Sequence, residues 1–391
     1  MSTVNIIIPP YSSVPGDERM PLGAAYLSSV LKKRKIAVNC IDTRFEKANF
    51  DCEFMGVTVF TSTFAYVKEL VRAAKEKGIK VIAGGPHAKA DPMSLIRIGV
   101  DAVVVGEGEE MVPDLIDSFK EGVHYAEPIE DLDSIPFPDM ELLNKYPYRE
   151  NTAWLLTSRG CPNQCSYCQK FFGNKVRLRS VENIFCEVER YGGRMIEIVD
   201  DCFTINRRRV FEFCERLPKL DYCLLALSNG TIAKTLTEEL VETLAGARLT
   251  NAMIGIESID PTIIRLANRN IYPEDCEKVI TWCKKNHIDV GVFMIIGLPG
   301  SSYESDMRGV EWVNQQKVWA NYGTAIPFRN TLLWDWVQEN GTWLTDPYDY
   351  TDYPPKFEME HYKREDIENV FKYALEVSCR FAFRPPQGVG G

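Results

Sequence analysis

Three cysteines fall within eight residues, in the run Arg159-Gly160-Cys161-Pro162-Asn163-Gln164-Cys165-Ser166-Tyr167-Cys168, and no fourth cysteine or histidine stands nearby. A closed structural zinc site wants four protein ligands, and this run offers three. A disulfide here would leave one thiol over and constrain nothing. Three thiolates suit three corners of a four-iron, four-sulfur cluster, in which separate cysteines hold separate irons. The fourth iron is then open to a ligand that is not protein, and chemistry would start at that corner.

The remaining nine cysteines (Cys40, Cys52, Cys186, Cys202, Cys214, Cys223, Cys276, Cys283 and Cys379) are scattered through apolar or helical stretches. Scattered in this way they read as small buried hydrophobes rather than a disulfide framework. The chain of 391 residues is long enough for two or three domains, and its 45% hydrophobic and 26% charged residues are those of an ordinary globular protein. A net charge of −10 argues against a nucleic-acid partner. No apolar run reaches bilayer length, and Met1-Ser2-Thr3-Val4-Asn5 lacks the basic start of a signal peptide, so the expected location is cytoplasmic.

The cysteine loop must be carried by the elements around it. Apolar strands at 4–8, 37–41, 53–60, 80–83 and 102–105 alternate with helical patterns at 22–33 and 65–77. Continuous apolar strands of this kind belong to a parallel sheet covered on both faces. Glycines follow the strand ends, where open α/β sheets bind ligands. An irregular, Pro-rich linker spans 127–150. A second series follows, with strands at 152–157, 195–199, 223–227, 252–256, 290–296 and 321–326. Its helices fall at 181–191, 207–216, 238–245, 273–285 and 304–316. Six such units predict a partial β/α barrel over 151–330, with the cysteine loop at the carboxyl end of its first strand. Residues 331–391 form a short C-terminal α-rich region ending in a disordered Pro/Gly tail.

With an aromatic residue, Tyr167, before its last cysteine, the loop resembles that of the radical S-adenosylmethionine (SAM) enzymes. The resemblance implies that Cys161, Cys165 and Cys168 ligate a [4Fe–4S] cluster and that SAM chelates the open iron. One electron from a donor such as flavodoxin or ferredoxin would then release a 5′-deoxyadenosyl radical; here the cofactor carries the hard chemistry. SAM contacts are expected from Tyr167, from Asp200 and Asp201, from Ser228 and Asn229, from Glu257, and from Gly297 and Pro299. Plainer readings stand beside these: Asp200-Asp201 as a helix cap near Asn206, Ser228-Asn229-Gly230 as a turn, and Glu257 as a solvated strand end. Arg177 and Arg179 could pair with a carboxylate or a cofactor phosphate, or lie on the surface.

Residues 1–126 resemble the Rossmann-like cobalamin-binding domain of one subfamily of these enzymes, through Met20-Pro21-Leu22-Gly23, Gly84-Gly85-Pro86-His87, Val105-Gly106-Glu107-Gly108-Glu109 and the linker Asp131–Pro138. The resemblance implies cobalamin contacts from Pro21, Leu22, Gly23, Thr61, Ser62, Gly84, Gly85, Gly106, Glu107 and Gly108. The loop 9–21 contains no histidine, so D-x-H-x-x-G is absent and histidine-ligated cobalt is not expected. His87 reads as a loop residue rather than a cobalt ligand.

The leading expectation is a cobalamin-dependent radical SAM methyltransferase. It would act on an unactivated carbon of a small metabolite or natural-product intermediate, through methylcobalamin. The alternative keeps the radical and drops methyl transfer, giving a dehydratase, epimerase or cyclase whose N-terminal domain need not use cobalamin. A non-enzymatic cluster carrier is the third reading. Arg329 could meet an anionic substrate. The run Trp334, Trp336, Trp343, Tyr348, Tyr350 and Tyr353 is either core packing or a substrate lid.

Overall fold

The computed structural model describes residues 3–10, 20–148, 152–192, 195–220, 224–346 and 354–381. Most of the first loop, Cys223, Tyr348, Tyr350, Tyr353 and the tail 385–391 lie outside the described residues. The chain divides into two compact units, Met1–Trp154 with Gln169–Glu187, and Leu155–Cys168 with Val188–Gly391.

The first unit is built on strands β1 (Thr3–Ile8), β2 (Ala37–Asp42), β3 (Phe54–Thr58), β4 (Lys80–Gly84), β5 (Ala102–Val105) and β6 (Gly122–Tyr125). Their order is β2-β1-β3-β4-β5-β6 and every neighbouring pair is parallel. The apolar runs follow from burial on both faces: Ile7, Met55, Val57, Val81 and Val103 pack with Val67 and Val71 of the helix Phe64–Glu76. Strand order reverses between β1 and β3, the switch point at which such sheets open a crevice. The sequence pattern missed β6, because an edge strand reading Gly-Val-His-Tyr has no apolar run. It also missed two short helices, Pro86–Ala90 and Pro92–Arg97. Each starts on a proline, which is pre-set for a first helical turn, and Asp91 caps the second by accepting from the Ser94 amide at 3.0 Å. His87 is therefore a buried helical residue rather than a loop residue. Its Nε2 lies 2.8 Å from the Ser94 hydroxyl and its ring packs on Phe64.

Two struts bind 169–187 into this unit. Arg177 donates to the Glu107 carboxylate at 2.5 Å and to the Ile129 carbonyl at 2.6 Å, with both charged groups buried. Lys89 donates to the Phe171 carbonyl at 3.0 Å. Arg179 pairs with buried Glu187 at 2.6 Å. Neither arginine is a surface residue.

A second sheet takes six strands in chain order: Thr152–Leu155, which straddles the division between the units, and then Met195–Ile198, Leu225–Thr231, Leu249–Glu257, Asp289–Ile296 and Trp319–Thr324 of the second unit. From Met195–Ile198 onward every pairing is parallel. The helices Arg207–Arg216, Glu238–Gly246, Pro273–Lys285 and Tyr303–Gln316 alternate with them, so the sheet is a partial β/α barrel. Beyond it lie the helix Leu332–Asn340, a short antiparallel pair of Thr342–Trp343 with Phe357–Glu358, and the helix Arg364–Ser378. Among the described scattered cysteines, Cys40, Cys202, Cys214, Cys276 and Cys283 are buried as expected, Cys52 is half-buried, and Cys186 and Cys379 are exposed. Burial pushes the thiols of Cys202, Cys214, Cys276 and Cys283 up to about 12. These four are inert as nucleophiles or ligands.

Removing one member of a buried ion pair strands the other charge. Arg177→Leu is expected to cost about 3–5 kcal/mol in denaturant unfolding, with Glu107→Leu added on top recovering most of it. A loss below 1 kcal/mol in the single variant would show that Glu107 is not held this way.

Candidate functional site

The cysteine loop has no strand or helix of its own, so its shape comes from what it touches within the second unit. Cys161 and Cys165 are half-buried and Cys168 is exposed. Among the described residues no three His, Cys, Asp or Glu side chains converge on a single-ion point. Three thiols on one short loop suit a cluster, one sulfur per iron.

The loop is pinned at its start by Asp201, whose carboxylate accepts from the Gly160 amide at 3.3 Å. Its neighbour Asp200 is oriented differently. That buried carboxylate accepts from the Thr157 amide and hydroxyl, both at 2.5 Å, and from the Ser158 hydroxyl at 2.6 Å. Arg209 completes the group, 3.7 Å from Asp200 and donating to the Thr157 carbonyl at 2.8 Å. With both oxygens accepting from protein donors, Asp200 fastens the strand ends. Neither aspartate caps the following helix; Asn206 does, accepting from the Arg209 amide at 3.1 Å. Asn229 donates to the Val199 and Asp200 carbonyls at 3.1 and 3.2 Å, beside half-buried Ser228.

At the end of Leu249–Glu257 the register shifts between Gly255 and Glu257, and Glu257 takes φ +69°. A bulge with a left-handed non-glycine residue is a local strain that re-aims a side chain. Glu257 is buried rather than solvated, and burial pushes its carboxyl upward against the pull of Arg269. Asp260 then caps the helix Pro261–Leu266, accepting from the Thr262 amide at 2.9 Å. Asn268 in the left-handed conformation ends that reversal, and the chain returns to the cysteine loop. There Arg269 donates to the Cys165 sulfur at 3.4 Å, to the Tyr167 hydroxyl at 3.1 Å and to the Gly255 carbonyl, 3.8 Å from Glu257. A Cβ on Gly255 would stand 2.9 Å from the Glu257 carboxylate and 3.3 Å from Arg269. Arg269 and Arg209 escaped the sequence reading; the one available sign of Arg269 is its place just past a capped short helix.

Gly297 opens the turn after the fifth strand of this sheet with φ +83°, and its amide donates to buried Asp306 at 2.8 Å. Pro299 is buried in the same turn. Burial pushes the Asp306 carboxyl up to about 6, against the Gly297 amide and the hydroxyls of Ser301 and Tyr362 beside it. Arg329 lies with its guanidinium 4.7 Å from the Trp334 ring, and Trp334 packs on Trp343 at 5.0 Å. All three are half-buried and pack on one another.

In the first unit, Pro21, Leu22 and Gly23 open the helix Leu22–Lys33; Thr61 and Ser62 follow β3; Gly84 and Gly85 follow β4; Gly106, Glu107 and Gly108 follow β5. All stand at the carboxyl ends of parallel strands or at a helix start. Gly85 (φ +97°) and Gly106 (φ +110°) are conformations for glycine, and a Cβ at either would meet backbone at 3.0 Å or less. The Thr61 hydroxyl is buried without a hydrogen-bond partner among the described residues, which suits a polar group arriving from outside the protein. Glu107 is the exception in this set, since its carboxylate is engaged by Arg177.

Residues 155–310 match the Radical SAM superfamily, and residues 12–116 match the B12 binding domain. An uncharacterized methyltransferase of Pyrococcus horikoshii is 27% identical over 430 residues, covering 97% of this chain and 92% of that protein. The cobalamin-dependent SAM radical enzyme OxsB, with aqua-cobalamin and SAM bound, shares the fold at a TM-score of 0.75, with 15% identity over 97% of this chain and 67% of that one. The radical SAM methyltransferase TsrM of Kitasatospora setae gives 0.68, with 17% identity over 84% and 74%. The chain thus carries a Radical SAM domain and a B12 binding domain, which bring a [4Fe–4S] cluster, SAM and cobalamin as its cofactors. Among the described residues no helix is long and apolar enough to cross a membrane.

Two outcomes follow from this geometry. Gly255→Ala should cost about 1–3 kcal/mol by overpacking and lower iron retention, read by unfolding midpoint and iron content; unchanged values would show that the neighbours give way freely. Asp306 binds its proton more tightly folded (about 6) than unfolded (3.8), so it favours folding below pH 3.8 and loses that contribution as pH rises through 6. Asp306→Asn keeps an acceptor for Gly297. It should gain up to ~3 kcal/mol over the native chain at pH 8 and nothing at pH 4; an equal difference at both pH values would contradict the assignment.

Proposed function

We propose that this enzyme methylates an unactivated carbon of a small metabolite or natural-product intermediate, drawing single electrons from a donor such as flavodoxin or ferredoxin. The observation that carries the reading is the pairing of two sites in one chain. One is a three-thiol loop at the strand ends of a partial barrel. The other is a switch-point sheet that ends in glycines at positive φ and, among the described residues, a buried threonine hydroxyl with no hydrogen-bond partner. When bound, the cluster and SAM supply one-electron bond cleavage, and cobalamin supplies methyl transfer.

The protein's part is to hold, orient and exclude water. Cys161, Cys165 and Cys168 hold the cluster, and Asp201 fixes the backbone at which that loop begins. Tyr167, Glu257, Ser228 and Asn229 meet the polar groups of SAM, while Gly297 and Pro299 give its adenine a flat, close backbone. Asp200 serves indirectly, by locking two strand ends together. Pro21, Leu22, Gly23, Thr61, Ser62, Gly84, Gly85, Gly106 and Gly108 form the cobalamin cradle, with Thr61 offering the hydroxyl. Glu107 supports the cradle through Arg177. In functional terms the domain limits are 1–126 for cobalamin, 127–150 for the linker, 151–330 for the radical chemistry and 331–391 for the C-terminal region; by compactness alone 169–187 goes with the first unit. A net charge of −10 supports a small-molecule substrate over a nucleic acid.

The test is to compare reconstituted native protein with Cys165→Ala. The native chain should show corrin absorption and form both S-adenosylhomocysteine and 5′-deoxyadenosine. The variant should keep the corrin and lose formation of 5′-deoxyadenosine at least a hundredfold, because proper ligation of the cluster is gone. Native protein that binds no corrin would sink methyl transfer, and 5′-deoxyadenosine without S-adenosylhomocysteine would favour a radical enzyme of another outcome.

A further inference from the structure

Arg269 stands out because it approaches the cysteine loop from 104 positions away in the chain and meets a ligand sulfur directly. Together with the two residues before it, it grips four consecutive loop positions. Asn268 donates its side-chain amide to the Gln164 carbonyl at 2.7 Å, and the Ser166 amide donates to the Ala267 carbonyl at 2.9 Å. Between them the Arg269 guanidinium donates to Cys165 and Tyr167. The group is largely buried, and an arginine does not lose its proton in a protein.

A buried cation donating to a thiolate acts on electron transfer, not only on shape. Reducing a cluster adds one electron and no proton to a core whose negative charge spreads onto its thiolate sulfurs. A fixed positive charge beside one of those sulfurs favours the more negative, reduced form, and hydrogen bonds to cluster sulfurs are among the levers that set the potential. Low local dielectric strengthens the effect. We propose that Arg269 is a positioning residue that raises the reduction potential of the cluster through its bond to Cys165, bringing one-electron reduction within reach of the donor.

The proposal rests on Cys161, Cys165 and Cys168 holding the cluster, and the test separates the two. Iron and sulfide are counted first in native protein, Arg269→Gln, Arg269→Lys and Asn268→Ala, each reconstituted as the full chain. Native protein without iron would fail the ligand assignment, not the arginine. Each loaded protein is then titrated anaerobically, following the reduced cluster by electron paramagnetic resonance. Arg269→Gln should make reduction at least tenfold less favourable, about 59 mV for one electron. Arg269→Lys, which keeps the charge, should stay within tenfold of native. Asn268→Ala, which loosens the loop but removes no charge, should keep the native potential. An unchanged potential in Arg269→Gln overturns the proposal, and so does a fall of more than tenfold in Arg269→Lys or an equal fall in Asn268→Ala. Loss of iron from Arg269→Gln alone, with Arg269→Lys loaded near the native potential, supports a need for the charge. Loss from both overturns it, because the residue is then only a fastener.

Discussion

Three thiols must be held close together on one short loop, and the loop has no ladder of hydrogen bonds to hold them in place. The structure meets that constraint from outside the loop. Asp201 takes the amide at its start, residues 267–269 line its middle, and the helix Leu332–Asn340 donates the Leu333 amide to the Ser166 carbonyl at 2.9 Å. The bulge at Glu257 and the missing side chain at Gly255 exist at the spot where Arg269 must pass. Backbone strain and a glycine are local costs, and here they make room for the side chain that holds the cysteine loop.

The same logic explains why two carboxylates that look alike behave differently. Asp200 and Asp201 are adjacent just past the strand Met195–Ile198, yet the first accepts from Thr157 and Ser158 with Arg209 beside it, and the second accepts from the Gly160 amide of the cysteine loop. In the first unit Glu107 follows Asp200 in this respect: it stands among strand-end glycines but serves as a buried strut to Arg177.

Much of this was readable before any coordinates. Strands buried on both faces announce themselves as apolar runs, so β1 to β5 and the barrel strands fell where the pattern put them, and the helices Leu22–Lys33, Arg207–Arg216 and Pro273–Lys285 matched residue for residue. β6 and the helix Leu332–Asn340 did not stand out, the first because it is an edge and the second because its aromatic residues masked its period. In the site, residue types at strand ends were legible and their partners were not. Nothing local in Ala267-Asn268-Arg269 tells of a cysteine 104 positions earlier, and nothing near Glu107 tells of Arg177. Long-range pairing is decided by tertiary packing, which a single sequence does not display.

Two chemistries must meet in one chain for this account to hold, and the methyl group is their common token. The decisive measurement is to supply methyl-labelled SAM to the reduced, reconstituted protein and follow the label. The account predicts label on the corrin together with an equal amount of S-adenosylhomocysteine. Corrin that stays unlabelled while SAM is cleaved to 5′-deoxyadenosine would contradict it.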